Sequence, residues 1–305
     1  MPGSRRTVFL SIIFLIALLF GSGQPQAEPA RAPHKGLNLV GEFVVAEGRE
    51  ASDRVVLVLH GTLAHLNMDT IKGLRDVLTE RGYNSLSINL SFDLDNRTGP
   101  YDCAIPHRHR YGDAVAELTI WLDWLSRKGV KDVTLLGHSR GGAQVALFGA
   151  SADHDLVKRL VLLAPATWDE DKSRAGYKKT HGKALSTVIA SARALSSAGK
   201  GGELMKGAGL LYCPGTDVTA DSFLSYYEPN PNLDTPTLLP KIKLPTLVIA
   251  GGEDKVVPDV ADKTRPLANG GNIRLAVVDD AGHFFLDLYA EDVVDLVENF
   301  MGTEE

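Results

Sequence analysis

The chain is short of several features that would decide its class at once. Its 305 residues include only two cysteines, Cys103 and Cys213. Neither sits in a recognisable metal-ligand spacing, so a thiolate-held metal is not expected as an organising element. Concentrated basic charge is missing too: 32 Lys and Arg stand against 38 Asp and Glu, a net charge of −6. A nucleic-acid surface must displace counterions with clustered cations, and a local run such as "KSRAGYKK" reads as a solvated face instead. Aromatic residues, 7% of the chain, form no stacking pattern. No glycine-rich phosphate cradle follows any strand pattern, so no nucleotide cofactor is expected.

Long apolar runs are also lacking, with one exception. "SRRTVFLSIIFLIALLFGSG" places Arg5 and Arg6 before an apolar run from Val8 to Phe20. A spanning helix needs about 20 apolar residues, so this shorter run reads as the core of an export signal. Cleavage would suit Gly23 or Ala27. No cysteine follows for a lipid anchor, and the Arg pair is off-register for a twin-arginine signal. Residues 1–23 are therefore expected to be a signal peptide or, if uncleaved, an N-terminal anchor and the one membrane contact. The expected location is periplasmic or secreted. Residues 24–36, "PQAEPARAPHKG" and its neighbours, read as a flexible Pro- and Ala-rich linker.

Strand and helix patterns then alternate over residues 37–305. "DRVVLVLHG" has no polar alternation, as in a strand buried on both faces. "DTIKGLRDVLTERG" has helical spacing, with Asp69 as cap and Gly82 as stop. "YNSLSINL" is the next strand, and "GDAVAELTIWLDWLSRKG" a helix with Val115, Leu118, Leu122 and Leu125 on one face. "KDVTLLG", "VKRLVLLAP", "LPTLVIAGG" and "NIRLAVVDD" complete the strands. This order predicts an α/β fold, a mainly parallel central sheet flanked by helices. Between about 167 and 240 the rhythm breaks into charged helical, Gly-rich and Pro-punctuated stretches. That insertion is expected to cap one edge of the sheet.

"LLGHSRGG" raises the chemical question. A Gly-x-Ser-x-Gly turn between strand and helix strains the serine and exposes its hydroxyl, and the helix N-terminus faces any developing oxyanion. Ser139 needs a base to take its proton. His283, in "VVDDAGHFF" after the last strand, can reach it, because parallel sheets gather catalytic groups at the carboxyl ends of their strands. Asp254 in "GGEDKVVP" is the preferred acid to orient the imidazole, with Glu253 and Asp169 as alternatives. The strand ending at His60-Gly61 turns sharply, so the N–H of Thr62 or Leu63 joins that of Arg140 as an oxyanion hole. His60 reads as a supporting residue rather than a base.

With these pieces in order, the chain resembles the α/β-hydrolase superfamily. "LHGTL", "GHSRG", "GGEDKVVP" and "AGHFF" carry the resemblance over nearly all of residues 37–305. It implies a serine hydrolase with a small-molecule substrate, most simply a carboxylic ester, and no cofactor or metal. Acyl transfer, thioester or amide cleavage on the same triad remain open, as does a non-catalytic binding protein on the same scaffold; so do oligomeric state and substrate identity. The family's usual first strands are expected to be reduced, since only "LNLVGEFVVA" has a strand pattern. His107 and His109, flanking Arg108 after the "SLSINL" strand, suggest a hydrogen-bonded cluster or a solvated loop rather than a metal site. Cys103 lies in that loop and Cys213 in the predicted cap, so a disulfide between them would tie lid to core. The sequons at Asn89 and Asn96 matter only in a eukaryotic secretory route.

Overall fold

A computed structural model describes residues 25–268 and 270–302; the segment read as signal or anchor, residues 1–23, lies outside the described residues. The expected linker is corrected from its second described residue onward. Residues Gln26–His34 form strand β1, paired antiparallel with β2 (Leu37–Val45). Lys35 and Gly36 between them both have positive φ, 47° and 81°, which a type I′ hairpin turn demands. Pro29 and Pro33 are tolerated because β1 is the edge of the sheet, where ladder bonds are needed on one side only. Alternate Ala30 and Ala32 turn inward and are buried. The amino-terminal strands are thus present rather than reduced.

β3 (Val55–Leu59), α1 (Asp69–Glu80), β4 (Asn84–Ile88), α2 (Asp113–Arg127), β5 (Val133–His138), α3 (Arg140–Ser151) and β6 (Val157–Leu163) then alternate. Every residue of β3, β4 and β5 is buried, as strands covered on both faces must be. Asp69 opens α1 rather than capping it; the cap is Met68, which makes no side-chain cap bond. Gly82 and Gly129 end α1 and α2 with φ of 78° and 87°, conformations that glycine adopts without steric cost. The buried face of α2 runs through Leu118, Trp121, Leu122 and Leu125, with Glu117 on it and Val115 only half-buried.

After β6 the chain leaves the sheet for α4 (Glu170–His181), α5 (Leu185–Ser197), the two-residue strands β7 (Leu204–Met205) and β8 (Val218–Thr219), α6 (Ala220–Tyr227) and α7 (Thr235–Leu238). It returns with β9 (Thr246–Gly251), α8 (Val260–Thr264), β10 (Ile273–Val278) and α9 (Tyr289–Gly302). The resulting eight-stranded sheet has the order β1-β2-β4-β3-β5-β6-β9-β10. All its pairs from β4 to β10 are parallel; those of β2 are antiparallel. The loops after β3, β5, β9 and β10 therefore open on one rim.

The insertion is fastened to the loop after β4. The His107 N–H donates to the Asp217 carbonyl at 2.8 Å, and the Thr219 N–H to that of His107 at 3.0 Å. Thr216 Oγ1 donates to the Cys103 carbonyl at 2.6 Å, and Cys103 is disulfide-bonded to Cys213. The bridge spans 110 residues of sequence, so it removes much freedom from the unfolded chain. A Cys103→Ser/Cys213→Ser double variant is expected to lose about 2–4 kcal/mol of stability. Denaturant melts of oxidised protein against that variant measure it, and coincident midpoints would contradict the expectation.

Candidate active site

The turn at Ser139 is built by close approach of backbone. Ser139 has φ 57° and ψ −121°, a conformation unfavourable for any L side chain. Its N–H donates to the Leu163 carbonyl at 2.8 Å, while its own carbonyl accepts from Ala143 at 3.1 Å and Ala166 at 3.0 Å. A Cβ on Gly137 would stand 2.4 Å from the Gly141 oxygen, and one on Gly141 2.4 Å from the His60 oxygen. No side chain fits at either position, so the strand-to-helix turn requires both glycines.

Two further loops bring charge and base to the hydroxyl. His283 Nε2 lies 2.9 Å from Ser139 Oγ, and His283 Nδ1 lies 2.8 Å from Asp254 Oδ2. In the tautomer this requires, Ser139 donates to Nε2 and the Nδ1–H donates to the carboxylate. Asp254 Oδ1 accepts from the N–H groups of Val256 at 2.6 Å and Val257 at 2.9 Å. Burial alone would push Asp254 up, but the His283 hydrogen bond and these two N–H donors hold it below the usual carboxylate range. The acid and histidine loops are laced together: Gly252 N–H donates to Val278 O and Glu253 N–H to Ala281 O, each at 2.9 Å. The other candidate acids lie elsewhere. Glu253 is exposed and paired with Lys255, and Asp169 caps α4 by accepting from the Lys172 N–H.

The loop after β3 closes over the same turn. Gly61 is pressed against the elbow, where a Cβ would meet Ser139 Cβ at 3.2 Å and His138 Nδ1 at 3.3 Å. Leu63, buried, takes a left-handed φ of 49°. Arg140 begins α3, where N–H groups have no intrahelical acceptor. The Thr62 hydroxyl accepts from Arg140 Nε at 3.1 Å, and the Thr62 carbonyl from the Tyr212 hydroxyl at 3.3 Å. His60 is fully buried beneath this loop and holds it. Its Nδ1–H donates to Gly61 O at 2.8 Å, while Nε2 accepts from Leu90 N–H at 3.2 Å and from Arg97 at 2.9 Å.

Three supporting residues escaped the sequence reading. Arg97 is buried and donates to the carbonyls of Leu90, Ala64 and Gly99 as well as to His60; desolvation brings its guanidinium down to about 10. His138 Nε2–H donates to the His283 carbonyl at 2.9 Å and so fixes the histidine loop from below. Glu117 accepts from Ser91 N–H at 2.8 Å and from its hydroxyl at 2.5 Å, with His109 Nε2 at 3.5 Å. Only Glu117 carried a local signal, as a carboxylate on the apolar face of α2. His107 and His109 are buried under the cap, which corrects the solvated-loop alternative; His107 nitrogens have no partner among the described residues.

A parallel sheet with a serine elbow, an imidazole and a carboxylate on one rim defines the α/β-hydrolase class. Residues 55–296 match the model of the alpha/beta hydrolase family, and the chain belongs to that family. No curated protein matches the sequence. Among solved structures, Est1E from Butyrivibrio proteoclasticus is similar at 18% identity and a TM-score of 0.60, over 90% of this chain and 97% of that one. The Pyrococcus furiosus esterase Pf2001 is similar at 17% identity and a TM-score of 0.59, over 91% and 90%. A dienelactone hydrolase from Anabaena variabilis is similar at 20% identity and a TM-score of 0.55, over 92% and 99%. Likeness at these identities is likeness of fold.

Proposed function

We propose that the protein is an exported serine hydrolase that cleaves a small-molecule carboxylic ester through an acyl-enzyme on Ser139. The observation that carries this reading is the unbroken hydrogen-bonded line from Ser139 Oγ through His283 to Asp254. His283 Nε2 takes the hydroxyl proton as Oγ attacks the ester carbonyl, and Asp254 stabilises the imidazolium that forms. The N–H groups of Leu63 or Thr62 and of Arg140 receive the developing oxyanion, where one donor is worth about 10²–10³ in rate. His283 then passes the proton to the leaving alkoxide, releasing the alcohol. A water, deprotonated by the same imidazole, attacks the acyl carbonyl and frees the carboxylic acid and Ser139. Export is supported by the apolar leader pattern and by a disulfide that an oxidising compartment would keep.

Fluorophosphonate labelling tests the nucleophile directly. The folded protein is expected to incorporate one phosphonyl group at Ser139 and to turn over nitrophenyl esters in a chain-length series. A folded protein that neither labels nor turns over any ester would leave the binding-protein alternative standing and remove this one.

A further inference from the structure

We infer that the ester this site takes carries a carboxylate, held by the Arg140 side chain. This rests on the serine-hydrolase reading and adds a substrate class to it. Arg140 directly follows the elbow serine, so its side chain leaves the backbone at the point of attack. It is half-buried at the seam between core and cap, with Nε on Thr62 Oγ1 at 3.1 Å and its guanidinium 5.9 Å from the centre of the Tyr226 ring. Among the described residues no carboxylate pairs with it, although Asp259 pairs with Lys172 and Lys263.

The same arginine lines a cavity of about 350 Å³ between core and cap, large enough for a small ligand. Two acids also line it, and both are occupied. Asp259 accepts from Thr167 Oγ1 at 2.8 Å and from Lys172 at 2.9 Å, with Lys263 at 3.2 Å. Asp169 caps α4. Among the described residues, Arg140 is therefore the cation of this cavity that no carboxylate pairs with. Its contacts with Thr62 and Tyr226 are neutral: burial pushes the Tyr226 hydroxyl up and the Arg140 charge works against that rise, while the more remote Asp113 and Glu117 add to it. The Tyr111 hydroxyl, in the same field, and the indole N–H of Trp168, a cavity residue, have no partner among the described residues. A planar guanidinium with aromatic neighbours and, among the described residues, no carboxylate paired to it suits bidentate capture of a carboxylate.

The test compares matched esters. The acyl arm sets the nitrophenyl monoester of glutaric acid against a neutral aliphatic ester of equal length; the alcohol arm sets 3-acetoxybenzoate against phenyl acetate. In one arm the carboxylated ester is expected to lead in kcat/KM by about 10- to 100-fold, the range of a hydrogen bond to a charged group. Arg140→Met should bring that ratio down to near one, and Arg140→Lys should keep part of it. Free glutarate should slow phosphonate labelling of Ser139 in the wild type and not in Arg140→Met. If Arg140 only braces the cap, its variants will slow both esters alike and leave the ratio unmoved. That result, or a wild-type ratio near one in both arms with neutral esters turned over, overturns the inference while the hydrolase reading stands. Failure to label Ser139 and to turn over any ester removes both.

Discussion

Ser139→Ala is expected to lower kcat/KM for the best ester by about 10⁴–10⁶-fold, leaving only what the oxyanion donors and binding supply. The size follows from the proposed mechanism, in which the imidazole and carboxylate act through the serine oxygen and without it have nothing to deprotonate. Ser139→Gly should be equally inactive but differ in stability. The backbone at φ 57°, ψ −121° suits glycine and strains alanine as much as serine. Such strain is worth about 1–3 kcal/mol, reduced by the roughly 0.4–1 kcal/mol that glycine's greater unfolded-state freedom costs. Ser139→Gly is thus expected to be more stable than Ser139→Ala by up to about 2.5 kcal/mol, or as much as several degrees in Tm. Paired kinetics and thermal melts of the two variants check both halves. A glycine variant melting below the alanine one would mean that the elbow holds no strain, and measurable wild-type rates in either would remove Ser139 from the chemistry.

The elbow was legible in the sequence because its physics is local. Gly137, Ser139 and Gly141 lie within one turn, and the strand before and helix after it have strong patterns. The convergence of Asp254 and His283 on Ser139 was legible at one remove, because a parallel sheet delivers the ends of β9 and β10 to the rim where β5 ends. β1 was not legible. Its inward residues are Ala30 and Ala32, too small to give a period-two signal, and Pro29 and Pro33 argue against a central strand without excluding an edge. Lys35-Gly36 is a weaker hairpin signature than Asn-Gly, since lysine reaches positive φ only under constraint from the paired strands. Arg97 was illegible for another reason. Its acceptors, at Ala64, Leu90 and Gly99, come from two separate loops, and no spacing along the chain announces that a lone arginine will hold them.

The second large effect is acid unfolding driven by histidines buried in the neutral form. Burial, and then the neighbouring His283, lower His138 to about 4. Its Nε2–H is committed to the His283 carbonyl, and among the described residues its buried Nδ1 has no acceptor for a second proton. His107, packed against Phe92, Tyr101 and Tyr226, is lowered to about 3 by burial and by His109. His60 is lowered well below its ordinary value by burial and by Arg97. In the unfolded chain each titrates near pH 6.5, so the unfolded state binds more protons as the pH drops below that. Their stabilisation is complete above about pH 6.5 and is lost as pH falls toward 4, at up to about 1.4 kcal/mol per pH unit for each histidine. The depressed carboxylates act later: Asp259, held at about 2 by hydrogen bonds from Lys172, Thr167 and Lys263 against the rise that burial imposes, loses its contribution only below about pH 4. Against a total stability of about 5–15 kcal/mol, a combined slope of up to about 4 kcal/mol per pH unit places the unfolding midpoint at about pH 3–5. Circular dichroism from pH 8 to 3 measures it. His107→Leu replaces an unpartnered buried imidazole by an apolar side chain, so it should move the midpoint to lower pH and flatten the stability slope between pH 6.5 and 4 by about a third. An unchanged slope would mean that His107 finds room for its proton in the native state, and a wild-type Tm equal at pH 7 and pH 4 would mean that all three do.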